Sequence, residues 1–363
     1  MNDLLELTAE LVAIPSVSGD EARIVAAIEG RLAASAPHLK LVRLGDSLVA
    51  VAPPRGTGRR IVLAGHVDTV PGEAGVPDAP EDTVTGRGAV DMKGGVAVMI
   101  ALAERSLDSP HDLTFVFYDR EELGSHQSGM HRISRDHADL LEGDLAVVLE
   151  PTGAVAEVGC QGNLVVDLVF TGRRAHSGRP WQGENAVHKA LAAGGRIAAH
   201  PTPPVTVEGH RYRPSISVVG VSGGVQGNVI PDRAALKVNY RHPPTVTTEE
   251  AVKALLRLAP EAESHEVALS SPPAPPSTSH PMLKSWMDRR GIEARPKLGW
   301  TDLGRFAQLG IPAVNFGPGD PELAHSPDEI VSAADLSACF AHLADLLGID
   351  PAGTGDDVER STK

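Results

Sequence analysis

The sequence has few cysteines and no excess of positive charge. Its two cysteines, Cys160 and Cys339, are too few and too far apart for a disulfide framework or a cysteine zinc site, and this usage fits a reducing compartment. Lys and Arg number 33 against 47 Asp and Glu, which gives a formal net charge of -14, and no basic cluster stands out. We therefore expect neither a nucleic acid nor an anionic membrane as a partner.

Long apolar segments are also missing. No stretch approaches the roughly 18–20 apolar residues of a membrane span, and the start, MNDLLELTAE, has neither the basic region nor the apolar run of a signal peptide. We expect a cytoplasmic protein without a membrane partner. The apolar content of 42% and the charged content of 22% are typical of a globular protein. The length of 363 residues favours two domains over one.

The pattern of apolar residues predicts an α/β domain in two sequence pieces, with a small α+β domain inserted between them. Apolar strands and amphipathic helices alternate over residues 1–162. Residues 163–276 predict strand-helix-strand-strand-helix-strand, the order of a ferredoxin-like unit. After a Pro-rich segment at 270–279, predicted as a linker, the α/β alternation resumes over 277–349. The predicted helices include 248–258, 281–290 and 333–347, and residues 350–363 predict a frayed tail.

Residues that can bind metal follow the apolar strands of the first and last pieces. They are His66 after 61–64, Glu121 and Glu122 after 113–118, Glu150 after 145–149, and His325 in the loop after 312–316. Open α/β sheets place their sites at the carboxyl ends of the strands. Asp91 lies in a Gly-rich loop at a helix start. Imidazole and carboxylate ligands suit zinc, cobalt or manganese, and six candidates suit two ions that share a bridging carboxylate.

Each of these residues also has a structural interpretation. His66 and Asp68 share one face of an extended segment, because side chains i and i+2 point the same way. That placement fits a hydrogen-bonded pair at a strand end, and equally a metal ligand with the carboxylate that orients it. Asp91 could cap a helix, Glu121 and Glu122 could form a solvated turn, and His325 could lie at the surface. Their joint placement at one sheet edge favours a metal site.

Seven motifs, in order, resemble those of the M20 family of metallohydrolases. They are GHVDTVP (65–71), GRGAVDMKGG (86–95), DREELG (119–124), LEP (149–151), RAHSGRP (174–180), GNVIPD (227–232) and GPGDPELAHSPDE (317–329). The resemblance runs from about residue 5 to 347 and implies a zinc-peptidase-like catalytic domain with a ferredoxin-like lid and dimerisation domain. The implied activity is hydrolysis of a linear amide in a small N-acyl amino acid.

The resemblance is more specific at two stretches. WTDLGRF and FGPGDPELAH look like the members that remove succinate from N-succinyl-LL-2,6-diaminopimelate in lysine biosynthesis. Acetylornithine deacetylases, aminoacylases and carboxypeptidases share most of the motifs, so these specificities stay as alternatives.

The resemblance also implies roles within the catalytic domain. Two Zn²⁺ ions per subunit, which Co²⁺ can replace, would be held by His66, Asp91 and Glu150 and by Asp91, Glu122 and His325. Asp68 would orient His66, and Glu121 would be the general base, which requires a carboxylate that is not itself a ligand. The peptide bond after the bridging Asp91 is expected to be cis.

The inserted domain would complete the site in a homodimer. By resemblance, His176 of one subunit donates to the oxyanion in the other subunit's site, with Asn228 near it. Arg241, at a strand end, could pair with a substrate carboxylate or form a surface salt bridge. Thr301 and Asp302 lie where the family contacts substrate, although GWTDLGRF here departs from the GTSDGRF of better-known members.

Overall fold

The structure, a computed structural model, describes residues 2–56, 58–124 and 126–350. The chain forms two compact units. The first comprises Met1–Glu157, Thr278–Arg295 and Ile311–Lys363, and the second comprises Val158–Ser277 and Pro296–Gly310. The segment Pro296–Gly310 thus packs with the second unit, whereas the sequence assigns it to the catalytic piece. The division into a catalytic and a lid domain stays a prediction, and the predicted tail lies outside the described residues apart from Asp350.

The helices and strands are numbered in chain order. The helices are α1 (Asn2–Val12), α2 (Ala22–Ser35), α3 (Gly94–Glu104), α4 (Gly129–Asp136), α5 (Ala186–Ala198), α6 (Thr248–Leu258), α7 (Pro281–Arg290), α8 (Leu303–Gln308) and α9 (Ala333–Leu347). The strands are β1 (Lys40–Leu44), β2 (Ser47–Val51), β3 (Arg60–His66), β4 (Thr83–Thr85), β5 (Asp112–Tyr118), β6 (Leu145–Val148), β7 (Ala156–Cys160), β8 (Gly162–Thr171), β9 (Ala175–His176), β10 (Val205–Val207), β11 (His210–Tyr212), β12 (Ser215–Gly223), β13 (Val229–Ile230), β14 (Arg233–His242), β15 (Ser264–Ser271), β16 (Ala294–Lys297), β17 (Ala313–Asn315) and β18 (Ile330–Ser332).

An eight-stranded sheet carries the candidate site. Its strand order is β1-β2-β5-β3-β6-β17-β7-β16. β3 runs parallel to β5 and β6, and β17 runs parallel to β6. β3, β5 and β6 are buried almost throughout, as the near-continuous apolar runs predict for strands covered on both faces. The carboxyl ends of these four parallel strands therefore meet at one edge, as the sequence predicts.

Helix α3 packs closely on this sheet. Its sequence, GGVAVMIALAE, is apolar and buried on nearly every side. A Cβ added to Gly95 would lie 2.5 Å from the main-chain oxygen of Leu149, and one added to Gly65 would lie 2.7 Å from the Cε of Met92. Glycine at these positions allows the helix start to approach the strand ends, which brings the segment that contains Asp91 to the same edge.

The second unit contains an antiparallel sheet with α5 and α6. Its order, β12-β14-β8-β15, is that of a ferredoxin-like unit, which confirms the predicted succession of strands and helices. Every second side chain of β8 is buried, and these residues pack with α5 and α6 in one core. The linker prediction is wrong at its start. Ser270 and Ser271 belong to β15 and still pair with β8, and the first proline that interrupts pairing is Pro272.

Several short elements escaped the sequence analysis. They include α4, whose Ser128 accepts the first-turn N–H of Met130, and the strands β4, β7, β10 and β11. The missed strands have three to five residues, which is too few for a periodicity that distinguishes a strand from a loop. Within the described ranges, no helix combines the length and the apolarity needed to cross a membrane.

Candidate metal centre

Four of the predicted residues meet at the carboxyl edge of the large sheet. His66 is the last residue of β3, Glu122 follows β5, and His325 lies in the loop after β17. Nε2 of His66 lies 2.9 Å from Oδ1 of Asp91, and Nε2 of His325 lies 3.2 Å from Oδ2 of Asp91. The same His325 nitrogen lies 2.8 Å from Oε1 of Glu122. Asp91 thus presents one oxygen to each imidazole, which is what a bridging carboxylate requires.

The chemistry of this donor set fits divalent cations. Candidate ligand atoms of His66, Asp91 and Glu122 all lie within 4.8 Å of one another. Nδ1 of His66 lies 3.0 Å from the main-chain oxygen of Asp68, an acceptor to which it can donate, and Nε2 faces the carboxylate of Asp91. Either a bound cation or a second proton on the ring satisfies this contact between imidazole and carboxylate. Nitrogen and oxygen ligands of this kind suit zinc or cobalt.

Without a metal ion, protons satisfy the same contacts. Hydrogen bonds to Asp91 and Glu122 raise the pKa of His325 to about 10. Burial alone would lower the pKa of His66, but its contacts with Asp68 and Asp91 outweigh burial and raise it well above the ordinary value. Burial likewise opposes ionisation of Asp91, but the hydrogen bonds from His325 and His66 hold its pKa below the ordinary range. The carboxylates of Asp91 and Glu122 therefore stabilise positive charge at His66 and His325.

The loop of Asp91 has an unusual backbone. The Asp91–Met92 peptide bond is cis, as the resemblance implies. Gly88 has a φ of +83°, and a Cβ there would lie 2.7 Å from Cγ2 of Thr69, so glycine is required for both conformation and space. Lys93, directly after this segment, is buried and donates from Nζ to the main-chain oxygen of Ile14 at 2.7 Å. The position of Asp91 is thus fixed by contacts on both sides of it.

Glu121 and Glu150 are placed at the same edge by their main chains. Glu150 is 8% exposed and directly follows Leu149, whose N–H bonds to the main-chain oxygen of Ala64 on β3. Glu121 follows β5, and its N–H donates to Oδ1 of Asp68 at 3.0 Å. The carboxylate of Asp68 is completely buried and lies 3.5 Å from Nδ1 of His66. Both glutamates therefore lie beside the strand end that carries His66.

The remaining predicted residues belong to the second unit. His176 pairs with Val229 across β9 and β13, and the N–H of Ser177 donates to the main-chain oxygen of Asn228 at 2.9 Å, so His176 and Asn228 are neighbours. Nδ1 of the exposed His176 accepts the N–H of Gly178 at 3.0 Å, which leaves its Nε2 free to act as a donor.

Arg241, Thr301 and Asp302 also lie in the second unit. Arg241 is half-buried near the end of β14, and burial lowers the pKa of its guanidinium. Thr301 and Asp302 precede α8 and are buried, with exposures of 4% and 0%. The sequence places all three near substrate, and this stays a prediction.

Sequence reasoning missed three buried or half-buried charged residues that hold the ligand loops. Glu329 and Arg87 form an ion pair of 2.6 Å beside the Asp91 loop. Glu21 accepts the N–H of Arg120 at 3.2 Å, next to Glu121. Arg87 and Glu329 both lie inside motifs that also contain a metal-ligand candidate, which was a usable signal. Glu21 directly precedes α2, and nothing in its local sequence distinguishes it from an ordinary acid at a helix start.

The profile of peptidase family M20/M25/M40 matches residues 62–348. The chain belongs to this family. It is 43% identical over 351 residues to a Mycobacterium tuberculosis protein provisionally named succinyl-diaminopimelate desuccinylase DapE, an alignment that covers 95% of this chain and 98% of the relative. It is 38% identical over 358 residues to the Corynebacterium glutamicum succinyl-diaminopimelate desuccinylase, covering 96% of each.

Solved structures of the family share the fold. Aminopeptidase PepT from Bacillus cereus matches with a TM-score of 0.76 at 20% identity, covering 95% of this chain and 97% of that chain. Bacillus subtilis YXEP, described as a dinuclear metal-binding peptidase of the M20 family, matches with a TM-score of 0.69 at 17% identity, covering 95% and 97%. Membership of this dinuclear metal peptidase family makes the chain a metal-dependent hydrolase that acts on an amide.

Proposed function

We propose that the chain hydrolyses the amide of N-succinyl-LL-2,6-diaminopimelate and releases succinate and LL-2,6-diaminopimelate in lysine and diaminopimelate biosynthesis. The observation that carries this proposal is the identity of 38–43% to proteins of that name, over nearly the whole length of both chains. The cluster around Asp91 supports the chemistry. The proposal includes a small-molecule substrate in the cytoplasm and no nucleic-acid or membrane partner.

We assign two Zn²⁺ ions per subunit to the candidate centre, with Co²⁺ as a substitute. His66, Asp91 and Glu150 would hold one ion, and Asp91, Glu122 and His325 the other. The supporting geometry is the sharing of Asp91, whose two oxygens face two different imidazoles at 2.9 and 3.2 Å. When bound, such ions polarise the scissile carbonyl and lower the pKa of water at the site toward neutrality.

Glu121 is the proposed general base. Its main chain is held by Asp68, while the neighbouring Glu122 makes the contact with His325. In the proposed reaction Glu121 accepts a proton from the attacking water and passes it to the leaving nitrogen of the substrate amide. Both transfers need a carboxylate next to the ligands that is not one of them.

The proposal includes a homodimer through the second unit. β12 is at one edge of the second unit's sheet, and Val219 and Val221 on this strand are 57% and 65% exposed. An edge strand with exposed valines is a surface that a second chain can cover. His176 is exposed in the same unit, and we propose that it donates to the oxyanion in the partner's site, with Asn228 beside it.

Arg241 is the proposed binding residue for a substrate carboxylate. Among the described residues, no carboxylate forms a salt bridge with its guanidinium, so the surface salt bridge considered from the sequence is not found. A half-buried arginine of this kind suits an incoming carboxylate, and the succinyl and diaminopimelate groups both supply one. Thr301 and Asp302 stay in the proposal as substrate-binding residues.

The zinc-loaded enzyme should be tested on a panel of N-acyl amino acids. The panel contains N-succinyl-LL-2,6-diaminopimelate, N-acetylornithine, an N-acetyl amino acid and a dipeptide. We expect the highest kcat/KM for the succinyl substrate. Faster turnover of N-acetylornithine would assign the chain to the deacetylases, and faster turnover of an N-acetyl amino acid or the dipeptide would make it an aminoacylase or a peptidase. The same ions and base would serve each of these reactions.

A further inference from the structure

We propose that Arg87 and Glu329 form a positioning ion pair that sets the separation of Asp91 and His325 and thereby the affinity of the centre for divalent metal. This inference rests on the metal site of the proposed function. Neither residue is a ligand candidate, and among the described residues their side chains form hydrogen bonds only with each other and with main-chain groups. They act through the main chain of the two loops from which Asp91 and His325 extend.

Glu329 holds the loop that leads to Asp91. Its side chain is only 1% exposed. Oε2 accepts the N–H of Gly88 at 2.7 Å and, at 3.4 Å, that of Val90, the residue before Asp91. Oε1 is bound by Arg87 at 2.6 Å. A single carboxylate thus fixes the approach to Asp91, including the left-handed Gly88.

Arg87 connects that loop to the segment behind His325. Nη1 of Arg87 donates both to Glu329 and to the main-chain oxygen of Ser326 at 3.1 Å, and Ser326 is the residue after His325. Its other nitrogens donate to the main-chain oxygens of Gly72 and Glu73 at 3.3 and 3.2 Å. The guanidinium therefore joins three loops at the sheet edge through main-chain groups, a task for which its planar set of donors is suited.

The surrounding main chain gives the pair a rigid base. The N–H of Gly86 and Oγ1 of Thr85 both donate to the main-chain oxygen of Glu329, at 3.2 and 3.0 Å. Thr85 is also the last residue of β4, and it pairs with Ile330, the residue after Glu329, where β4 and β18 meet. The ion pair thus lies between the β4–β18 ribbon and the loops of Asp91 and His325. Apart from this pair, only the loops set the spacing of these two ligand candidates.

Loss of either Arg87 or Glu329 should increase the mobility of the Asp91 and His325 loops. Removing the negative charge leaves Arg87, whose side chain is only 15% exposed, without its buried counter-charge. Glu329→Gln keeps the size of the side chain, but its amide has one acceptor oxygen for three donors. Arg87→Lys keeps the charge but replaces the planar fork by a single ammonium group that cannot reach the same set of carbonyls. Both variants change spacing without touching a ligand.

The test is metal affinity of the folded, full-length chain, measured with Zn²⁺ against a chromophoric chelator and with the absorption spectrum of the Co²⁺ form. We expect Glu329→Gln and Arg87→Lys each to weaken Zn²⁺ binding by about 10–100-fold, as for other residues that orient ligands, and to alter the Co²⁺ spectrum. The double variant should be little worse than either single variant, because the two residues act as one unit.

A matched control is Glu104→Gln, which removes the charge of a second ion pair of the same unit, Arg31–Glu104 at 2.9 Å. We expect wild-type affinity and spectrum from it. Wild-type affinity and an unchanged spectrum in both Glu329→Gln and Arg87→Lys would overturn the inference, and so would additive losses in the double variant. Because no substrate is used, an error in the proposed substrate leaves this result intact, whereas a wild-type chain that binds no Zn²⁺ would refute the metal site itself.

Discussion

Oδ1 of Asp68 accepts the main-chain N–H of Glu121 at 3.0 Å. The second oxygen accepts the N–H of Glu122 at 3.2 Å and the hydroxyl of Ser18 at 2.7 Å. The closest acceptor to Nδ1 of His66, at 3.0 Å, is the main-chain oxygen of Asp68 and not its carboxylate, which lies at 3.5 Å. The carboxylate therefore organises the loop of the proposed base at least as directly as it orients the histidine.

We predict that Asp68→Ala lowers kcat by about 10–100-fold, the usual cost of losing a residue that orients others at a metal site. The partly buried N–H groups of Glu121 and Glu122 lose their acceptor, so the base loses its position. Asp68→Asn retains one acceptor oxygen, so its kcat should lie between that of the wild type and that of Asp68→Ala. Steady-state kinetics with metal content measured in parallel checks this, and an Asp68→Ala enzyme with wild-type kcat would contradict the assignment.

Two variants of Glu21 separate the effect of its hydrogen bonds on the Glu121 loop from the effect of its charge. Its Oε1 accepts the N–H groups of Gly19 at 2.7 Å and Arg120 at 3.2 Å, whereas Oε2 has no hydrogen-bond partner among the residues described. Burial, with Asp68 and Asp119 nearby, raises the pKa of this carboxyl. We predict that Glu21→Gln, which keeps one acceptor and removes a buried negative charge, retains wild-type kcat and an equal or higher Tm.

Glu21→Ala removes the acceptor from both N–H groups. We predict that it lowers kcat by about tenfold or more, while Zn²⁺ binding by the folded enzyme is kept, because the change displaces the loop of Glu121 rather than a ligand. Equal losses of kcat in Glu21→Gln and Glu21→Ala would show that the charge matters and not the hydrogen bonds.

The sequence predicted the larger elements of the fold well. The bounds of α6, α7 and α9 agree with the prediction because each helix has both a clear start and an apolar stripe. The strands β3, β5 and β6 were evident from their uninterrupted apolar runs. Short strands such as β4 and β18 could not be found, because their pairing is decided by chain segments far apart in sequence.

The sequence predicted the metal-ligand candidates of the site, but not the residues that hold their loops in place. Strand ends and a Gly-rich loop indicated His66, Asp91, Glu122 and His325, and the structure brings these four together, while their role as ligands stays a proposal. Asp68 lies beside His66 and also accepts the N–H groups of Glu121 and Glu122. The second role could not be predicted, since it depends on the exact position of these two main-chain groups. The motif that contains Glu329 places this residue near the site, but its burial could not be predicted, because no local pattern marks an acid as buried.

The proposed action of His176 across the dimer has a direct test by complementation. Glu121→Gln should bind Zn²⁺ but lose turnover by about 10²–10⁴-fold, the typical contribution of a general base. His176→Ala should lose about 10²–10³-fold, as for one oxyanion donor. When the two inactive variants are mixed and allowed to exchange subunits, each mixed dimer has one intact site, so activity should recover to about a quarter of wild type.

The control is each variant taken through the same exchange alone, which should recover nothing. Full activity in a monomeric enzyme, or no recovery in a mixture shown to contain mixed dimers, would contradict action of His176 in the partner's site.

Both thiols should be unreactive in the folded enzyme. Cys160 and Cys339 are fully buried, and burial raises the pKa of Cys160 to about 11 and that of Cys339 further still. At pH 8 the thiolate fraction of Cys160 is on the order of 10⁻³, and it grows only as the pH rises toward 11. We predict no alkylation by iodoacetamide at pH 8 before unfolding and two modified cysteines per chain afterwards, counted by mass spectrometry. Rapid modification of the native enzyme would show that one thiol is accessible.

The central claim is the identity of the bond that is cleaved. It is tested most directly by kcat/KM of the zinc-loaded wild-type enzyme for N-succinyl-LL-2,6-diaminopimelate and for N-acetylornithine, with Glu121→Gln as the blank and released succinate measured alongside free diaminopimelate. We predict a preference of at least about tenfold for the succinyl substrate, because its additional carboxylates pair with cationic groups that N-acetylornithine would leave unpaired. A preference for N-acetylornithine, or succinate release that is equally fast in Glu121→Gln, would contradict the account.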